Sequence, residues 1–368
     1  MIIKSIELSD YRNYDHLFME FSPGTNILYG DNAQGKTNIL EAIYVSATTK
    51  SHKGSKDRDI INFNKEEAHV RTVIEKENAD TRIDMHLRKN KSKGLAIDGQ
   101  RVKKAADLIG LCNVVFFSPE DLGIIKNGPS ERRRFVDMEL CQLDSFYFYN
   151  LSNYNKIVEQ RNTLLKDSYF NPQLKETLDI WDMQLVSYGS KIIERRKLFA
   201  DQLNEIIEGI HFSLSGGREN IKIVYEPDVQ IEEFEKKLLE NQERDLRSKM
   251  TTVGPHRDDF SFLIGDIDIR KFGSQGQQRT AALSLKLSEI ELVKKITKDT
   301  PILLLDDVLS ELDSNRQNYL LNSIGSIQTI ITCTGLEEFV NNRFEIDRVY
   351  KVTNGTVEIM NEDHRSVQ

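Results

Sequence analysis

A glycine-rich run that ends in lysine and threonine is the first feature of this sequence that can do chemistry. It is Gly30-Asp31-Asn32-Ala33-Gln34-Gly35-Lys36-Thr37, and it fits G-x-x-x-x-G-K-[ST] at every position. Its glycines let backbone N–H groups turn toward phosphate oxygens, and a following helix adds the positive end of its dipole. The run therefore predicts an ATP site in which Lys36 contacts the β and γ phosphates and Thr37 binds Mg²⁺.

Two carboxylates follow an apolar run and can complete such a site. Residues 302–305 are aliphatic, and Asp306 and Asp307 come next. An aspartate at a strand end is often merely solvated, but a phosphate loop in the same chain favours a catalytic interpretation. We predict that Asp306 holds the Mg²⁺ shell and that Asp307 orients or deprotonates the attacking water. Lys36, Asp306 and Asp307 are the predicted catalytic residues.

A polar segment before a helix supplies the third element, Ser274-Gln275-Gly276-Gln277. It resembles the S-x-G-Q-[QR] signature of ATP-binding-cassette (ABC) ATPases, and Ser310-Glu311-Leu312-Asp313 stands where that superfamily carries its D-loop. There, the serine hydroxyl, the glycine N–H and the helix N-terminus bind the γ-phosphate held by the opposite subunit. The resemblance implies a homodimer that sandwiches ATP.

The elements that position these motifs are predicted from hydrophobic periodicity. Strands are expected over residues 2–8, 17–21, 25–29, 68–75, 81–87, 221–225, 260–269, 302–305 and 329–332, with a hairpin over 94–102. Helices are expected over 38–47 and 278–296, and two helices of about 35 residues after Gly128-Pro129-Ser130. We therefore predict an α/β fold of the ABC-type P-loop ATPase head, a mixed sheet with flanking helices, and an inserted arm formed by an antiparallel helix pair. Its parts are the head at 1–128, the arm (lobe II) at 129–219 and the head at 220–368, which holds the signature and carboxylate strand.

Composition is that of a globular chain, with 39% hydrophobic and 29% charged residues over 368 positions. The net charge of −8 argues against general affinity for nucleic acid. Basic residues nevertheless form four clusters in the N-terminal part of the chain: Lys50, Lys53, Lys56 and Arg58; Arg88, Lys89, Lys91 and Lys93; Arg101, Lys103 and Lys104; Arg132, Arg133 and Arg134. With no membrane-span run and a strand-like beginning, a cytoplasmic protein without a membrane partner is expected.

Motifs spread along the chain resemble, in order, those of the RecF family, bacterial recombination mediators related to the heads of SMC-type ATPases. The segments that carry the resemblance are residues 10–14, 30–44, 117–122, 128–137, 252–259, the signature segment and 303–313. The resemblance implies a weak Mg²⁺-dependent ATPase with a short arm that dimerises on ATP and binds gapped or single-/double-strand DNA. It also implies action with RecR and RecO, indirectly loading RecA, in DNA repair, replication and the SOS response.

Three positions depart from the wider cassette superfamily. Asp307 stands where many members have glutamate, and its shorter reach predicts slow turnover. Cys333-Thr334 follows the strand at 329–332 where others have a histidine, so Thr332 or Thr334 is the candidate substitute. No glutamine lies between Val114 and Asp121, so the residue of the Q-loop is unassigned.

Other polar residues have two possible roles. Arg12 is predicted to bind nucleotide, the alternative being a solvated arginine. The triplet at 132–134 either contacts DNA phosphates or forms salt bridges. His256 is expected to be structural, because no nucleophile lies near it.

Rival functions share parts of this pattern. A transporter-type ATPase subunit would have all three motifs, but its signature lies nearer its phosphate loop than Ser274 lies to Thr37 in this chain. An SMC-like structural DNA tether needs a far longer arm. A kinase of the P-loop class would lack the signature segment.

Overall fold

The computed structural model describes residues 1–103, 105–335 and 345–360; Lys104 and the end of the predicted C-terminal part lie outside them. The strands are β1 (Ile2–Tyr11), β2 (Tyr14–Glu20), β3 (Thr25–Tyr29), β4 (Glu67–Lys76), β5 (Ala79–Arg88), β6 (Gly94–Ile97), β7 (Gln100–Val102), β8 (Val114–Phe117), β9 (Ile221–Glu226), β10 (Asp259–Ile264), β11 (Ile267–Asp268), β12 (Ile302–Asp306), β13 (Thr329–Cys333), β14 (Arg348–Thr353) and β15 (Thr356–Ile359). The α-helices are α1 (Lys36–Thr48), α2 (Asp57–Ile60), α3 (Leu122–Lys126), α4 (Pro129–Leu143), α5 (Ser145–Asp167), α6 (Leu178–Leu214), α7 (Phe234–Ser248), α8 (Ile269–Phe272), α9 (Gln275–Thr297) and α10 (Ser314–Ser323).

The chain forms two compact units, one from residues 1–121 together with those from 289 onward, the other from 122–288. We call them the sheet unit and the helical unit. Both ends of the chain build the sheet unit. The domain boundaries proposed at 129 and 219 stay a prediction. The second compact unit extends to residue 288, so strands β9 to β11 belong to the same unit as the helices.

A mostly parallel sheet lies in the sheet unit, in the order β15-β14-β3-β13-β12-β8. Strand β3 is parallel to both β13 and β14, and β12 is parallel to β13 and β8. Every residue of β8, β12 and β13 is buried, as expected for parallel strands covered on both faces. The carboxyl ends of β3 and β12 thus meet at one edge of the sheet, with β13 between them.

A second sheet of the same unit is antiparallel, in the order β2-β1-β4-β5-β6-β7. Burial alternates along β4: Ala68, Val70 and Ile74 face the core, whereas Glu67 and His69 are exposed. This period of two is that of a sheet with one covered and one open face. The sheet therefore presents a row of polar side chains on its open face.

The helical unit contains a helix pair that differs from the prediction in one respect. The first predicted helix of the arm is two helices, α4 and α5, because the Asp144 carboxylate accepts hydrogen bonds from the N–H groups of Phe146 and Tyr147 and starts a new helix. Helix α6 has 37 residues, about 55 Å. Contacts of Arg161 with Asp182 and of Tyr147 with Arg196 show that α5 and α6 are antiparallel.

Two arginines hold the helical unit together from inside. Arg161 donates to Asp182 at 2.7 Å and to Asp245 at 2.6 Å, and all three side chains are buried. Arg196 donates to Asp258 at 2.7 Å and is likewise buried. Removing one partner from such a pair leaves an uncompensated buried charge, so these pairs are expected to fix the geometry of the unit.

The predicted strands and helices outside the arm are confirmed with small shifts of their ends, except that the strand predicted at 260–269 is β10, β11 and the start of α8. The sequence did not predict β8, β14, β15 or α7. None of the helices in the described part of the chain combines the length and apolar character needed to cross a membrane.

Candidate nucleotide-binding site

The glycine-rich run forms a tight loop between β3 and α1. Gly30 has φ +152° and Gly35, at the N-cap of α1, has φ +113°, a region that only glycine adopts readily. A Cβ on Gly30 would lie 2.3 Å from the carbonyl oxygen of Val352, so a side chain has no room there. The loop thus opens at the N-terminus of a 13-residue helix, where backbone N–H groups and the helix dipole favour an anion.

Neighbouring segments hold this loop through Gln34. The Asn13 amide donates to the Gln34 carbonyl oxygen at 3.1 Å, and the Gly355 N–H donates to the same oxygen at 3.2 Å. The N–H of Asn354 donates to Gln34 Oε1 at 2.6 Å. The turn between β14 and β15 and the turn between β1 and β2 therefore both fix the loop, and the role of the turn between β14 and β15 was not predicted.

Lys36 lies buried beneath the loop. Its Nζ donates to the carbonyl oxygen of Gly30 at 2.5 Å and to that of Asp31 at 2.7 Å. Burial lowers the pKa of Lys36, and the negative charges of Asp307 and Asp306 act in the opposite direction. The ammonium group is thus preorganised against the loop, as phosphate binding requires. Asn32 and Ala33 are exposed at the tip of the loop.

Thr37 and Asp306, the two residues predicted to hold Mg²⁺, are in direct contact. The Thr37 hydroxyl donates to Asp306 Oδ1 at 2.8 Å, and the Thr332 hydroxyl donates to the same oxygen at 2.7 Å. Burial raises the pKa of Asp306, and the two hydrogen bonds partly offset that rise. A hydroxyl and a buried carboxylate side by side are hard oxygen donors of the kind that Mg²⁺ takes in nucleotide sites, so the residues present fit this ion.

Asp307 follows in an unusual backbone conformation, with φ +52°. Its N–H donates to Thr332 Oγ1 at 3.0 Å, and its carbonyl oxygen accepts from the hydroxyl of Ser310 at 2.8 Å. None of the described residues donates a hydrogen bond to its carboxylate. The backbone is therefore fixed while the carboxylate stays available to a water.

Thr332 and Thr334 were both candidates to replace the missing histidine. The Thr332 side chain is buried and engaged with Asp306, whereas Thr334 is exposed. Thr332 thus holds the Asp306 carboxylate and the backbone N–H of Asp307.

Arg12 is held against helix α1. Its Nε and Nη2 atoms each donate to the Glu41 carboxylate at 2.8 Å, and Nη1 donates to the carbonyl oxygen of Asp59. Burial acts to raise the pKa of Glu41, but hydrogen bonds from Arg12 and Ser51 outweigh it, so the pKa lies below its ordinary value. Arg12 is next to Asn13, which contacts the loop, but its guanidinium is engaged with the helix. Nucleotide contact by Arg12 stays a prediction.

The signature segment belongs to the helical unit. The N–H of Gln277 donates to Ser274 Oγ at 3.2 Å, and the N–H of Ser274 donates to Gln277 Oε1 at 2.8 Å, a reciprocal capping box that starts α9. Gln277 also donates to Glu219 at 2.9 Å. Ser274, Gln275 and Gly276 are exposed. The structure thus brings the predicted residues of the sheet unit together at one edge, and presents the signature residues on the surface of the other unit.

Contacts in the helical unit bear on two open questions, the role of Arg132 and the role of His256. Arg132 is buried and donates to both carboxylate oxygens of Asp259, at 2.7 and 3.0 Å, so within the triplet it forms a salt bridge. His256 Nε2 donates to the carbonyl oxygen of Thr251, and its Nδ1 accepts from the Tyr154 hydroxyl. Burial lowers the pKa of His256. A neutral, fully engaged imidazole supports the structural role predicted for it.

Comparisons with known proteins agree with this geometry. The profile of the RecF/RecN/SMC N terminal domain matches residues 2–358. The "DNA replication and repair protein RecF" of Lachnoclostridium phytofermentans is 65% identical over 97% of this chain and 99% of its own length. A solved structure of the recombination mediator protein RecF-ATPrS in the RecFOR pathway aligns with a TM-score of 0.90 and 35% identity over 98% of both chains. An SMC head bound to the C-winged helix domain of ScpA aligns over 98% of this chain and 97% of its own, with a TM-score of 0.56 and 17% identity, a likeness of fold alone.

Together, the mostly parallel sheet, the loop before α1 and the carboxylates at the carboxyl end of β12 define an ABC-type P-loop ATPase head with an inserted helical arm. Within that class, the chain belongs to the RecF family of DNA replication and repair proteins.

Proposed function

We propose that this protein is an ATP-dependent DNA-binding recombination mediator. The observation that carries the proposal is the convergence of Lys36, Thr37 and Asp306, with Asp307 adjacent, at the carboxyl edge of one parallel sheet. This arrangement places three groups side by side: the phosphate-binding loop, the ammonium group of Lys36, and the Mg²⁺-ligand pair of Thr37 and Asp306. The relatives named above are described as replication and repair proteins, and the similar solved structure is described as RecF-ATPrS.

ATP is held by the loop from Gly30 to Thr37, with Lys36 on its phosphates. Mg²⁺ is held by Thr37 and Asp306, and when bound it neutralises phosphate charge. Thr332 keeps Asp306 oriented toward Thr37 through its hydrogen bond of 2.7 Å. Asp307 orients a water or accepts its proton, but its short side chain on a left-handed backbone limits its reach. Hydrolysis is therefore slow.

Two copies of the chain close over the nucleotide. Ser274, Gln275 and Gly276 are exposed at the N-terminus of the 23-residue helix α9, where the positive end of the helix dipole favours an anion carried by a second molecule. The Ser274 hydroxyl is held in place by the capping box, so it is preorganised before dimerisation. We infer that each copy contributes this segment to the other's γ-phosphate.

DNA is the substrate of the dimer. The first basic cluster is largely exposed and suits contacts with DNA phosphates; its residues are Lys50, Lys53, Lys56 and Arg58. Arg132 is not a candidate for such a contact, because it is engaged in a salt bridge with Asp259. By the family resemblance, the DNA contains gaps or single-/double-strand junctions. RecR and RecO act with the protein and RecA is loaded as a consequence. An SMC-like tether is disfavoured because α6, at about 55 Å, is the longest helix of the described residues.

Sedimentation of the full chain with and without ATP and Mg²⁺, each with and without a gapped duplex, tests the proposal. Lys36→Met is expected to abolish nucleotide binding and the dimer together. Ser274→Arg is expected to keep ATP binding and lose the dimer, because the bulky cation occupies the γ-phosphate position. Ser187→Arg, the same exchange at an exposed site on α6, is the matched control and should dimerise.

Dimerisation of Lys36→Met with ATP would overturn the phosphate site. An ATP-bound dimer of Ser274→Arg would overturn the sandwich. A dimer that forms with ATP but never sediments with gapped duplex would overturn the DNA substrate and leave the nucleotide site intact.

A further inference from the structure

A cluster of metal-ligating side chains lies on the open face of the antiparallel sheet, apart from the nucleotide loop. His69 of β4 and His86 of β5 are directly opposite each other in the antiparallel register. Glu67 precedes His69 by two residues, so it projects from the same face of β4. Strand pairing thus brings together two histidines that lie on separate strands. Their separation in the sequence does not by itself suggest a metal site.

The donor atoms of this cluster are close together. One ligand atom from each of Glu67, His69 and His86 lies within 4.8 Å of the others. The two imidazole rings stack with centroids 4.1 Å apart and planes 21° apart, and His86 Nε2 is 2.7 Å from Glu67 Oε2. A zinc ion with bonds of about 2.1 Å separates tetrahedral donors by about 3.4 Å. Binding would require the side chains to rotate out of the stacked arrangement, so that the ring nitrogens converge on one ion.

We propose that Glu67, His69 and His86 form a binding site for a divalent transition-metal ion, with zinc as its expected occupant. Two imidazoles and one carboxylate are a donor set that zinc accepts with one coordination position left for water. The histidines border a cavity of about 490 Å³, which leaves room for that water. The metal would cross-link the neighbouring strands β4 and β5.

Arginines also lie near the cluster. Arg71 on β4 is paired with Glu7 at 3.0 Å and Asp84 at 2.7 Å, so two carboxylates offset its charge. Arg88, opposite Glu67 in the register, donates to the carbonyl oxygen of Ser92 at 2.7 Å, and Arg101 lines the same cavity as the two histidines. Glu67 is therefore the anionic ligand that has to offset the charge of a cation bound beside Arg88 and Arg101.

Zinc titration of the full chain tests the site. The protein is first treated with EDTA, and Zn²⁺ is then distributed between it and a chromophoric zinc indicator, without nucleotide. One equivalent is expected to bind to the parent chain. His69→Ala and His86→Ala should each weaken that binding by more than about 100-fold, since loss of an outer partner alone costs about 10- to 100-fold.

The matched control is His16→Ala. His16 is an exposed histidine on β2, opposite Ser9, which is itself opposite His69, so it lies about 10 Å from the cluster and beyond ligand reach. Its binding of zinc should equal that of the parent. Circular dichroism of each variant verifies folding, and all the exchanged side chains lie on the open face.

Cobalt provides an independent readout. Co²⁺ bound by the parent chain should show visible absorption typical of tetrahedral coordination, and the double variant His69→Ala/His86→Ala should not. A parent chain that binds no zinc would overturn the proposal and leave an ordinary hydrogen-bonded His–Glu pair. Zinc binding that persists unchanged in the double variant would assign the ion elsewhere and overturn it as well.

Discussion

The two halves of the predicted nucleotide site are built in opposite ways. In the sheet unit, Lys36 and Asp306 are buried, and each is held by at least two hydrogen bonds. In the helical unit, Ser274 is exposed at the N-terminus of α9, and it is held by the capping box that it forms with Gln277. The first half is set by buried tertiary contacts, and the second by a local helix cap that one tertiary contact, from Gln277 to Glu219, supports.

The difference in burial separates residues that the fold itself requires from residues that only an interface with a second molecule would require. The buried half carries charged groups whose removal disturbs folding as well as chemistry. The exposed half is expected to contribute little to the stability of its own unit, which would leave its residue types to serve a second molecule. Three variants test this difference, and their expected effects decrease in the order given.

Asp307→Asn should lower kcat for ATP hydrolysis by about 10²- to 10⁴-fold, the usual contribution of a general base. Asparagine keeps the shape and tolerates the positive φ of +52°, so ATP-dependent dimers should form and persist. Single-turnover phosphate release and sedimentation measure the two effects. Asp80→Asn, an exposed carboxylate paired with Lys4, is the control and should leave kcat unchanged. A kcat within tenfold of the parent would remove Asp307 from the role of base.

Glu41→Gln should lower the free energy of unfolding by about 2–3 kcal/mol, because it leaves Arg12 without its carboxylate partner. The folded-state pKa of Glu41 is depressed below 4.5, so the ion pair stabilises the fold above that pH and the contribution is lost as pH falls through the folded-state pKa. The deficit of the variant should therefore be full at pH 7 and shrink in acid. Urea unfolding at several pH values measures it.

The matched control for that variant is Glu7→Gln, which breaks the exposed pair with Arg71. Its cost should be at most about 1 kcal/mol. If the two variants lost equal amounts of unfolding free energy, burial would not strengthen the ion pair of Glu41, and the contrast between buried and exposed groups would be wrong.

Ser274→Ala should lower the free energy of unfolding by about 0.5–1 kcal/mol, since it removes one of the two capping-box hydrogen bonds at an exposed helix end. Hydrogen exchange of the first amides of α9 should speed up by a factor of a few, while the rest of the unit is unchanged. Ser187→Ala, at an exposed position inside α6, provides the baseline. A loss above about 2 kcal/mol, the upper end of the range for a helix cap, would show that this segment supports its own unit after all.

The sequence was most informative where chemistry dictates residue type. The loop from Gly30 to Thr37 needs glycines and a lysine at fixed spacing, and β12 needs an aliphatic run before its carboxylates, so both were predictable. The contact of Thr37 with Asp306 followed from the rule that parallel strands present their carboxyl ends at one edge.

What sequence reasoning missed depends on long-range pairing. The hydrogen bonds from Asn354 and Gly355 to Gln34 join segments that are far apart in the sequence. Strands β14 and β15, which position these donors, have weak local sequence patterns. The pairing of Arg12 with Glu41 was also missed, because it is recognisable only after helix α1 is placed; nucleotide contact by Arg12 stays a prediction. The break at Asp144 was hidden because helical periodicity continues on both sides of the cap.

The position of β3 between β13 and β14 has a consequence for biosynthesis. Strand β3 ends at Tyr29, whereas the nearer of these neighbours in sequence begins only at Thr329. At about 5–20 residues per second, a ribosome needs on the order of 15 to 60 s to synthesise the chain between them. A nascent chain therefore carries its phosphate-loop strand without sheet partners throughout that interval. The protein becomes competent for nucleotide only after β13 has been synthesised.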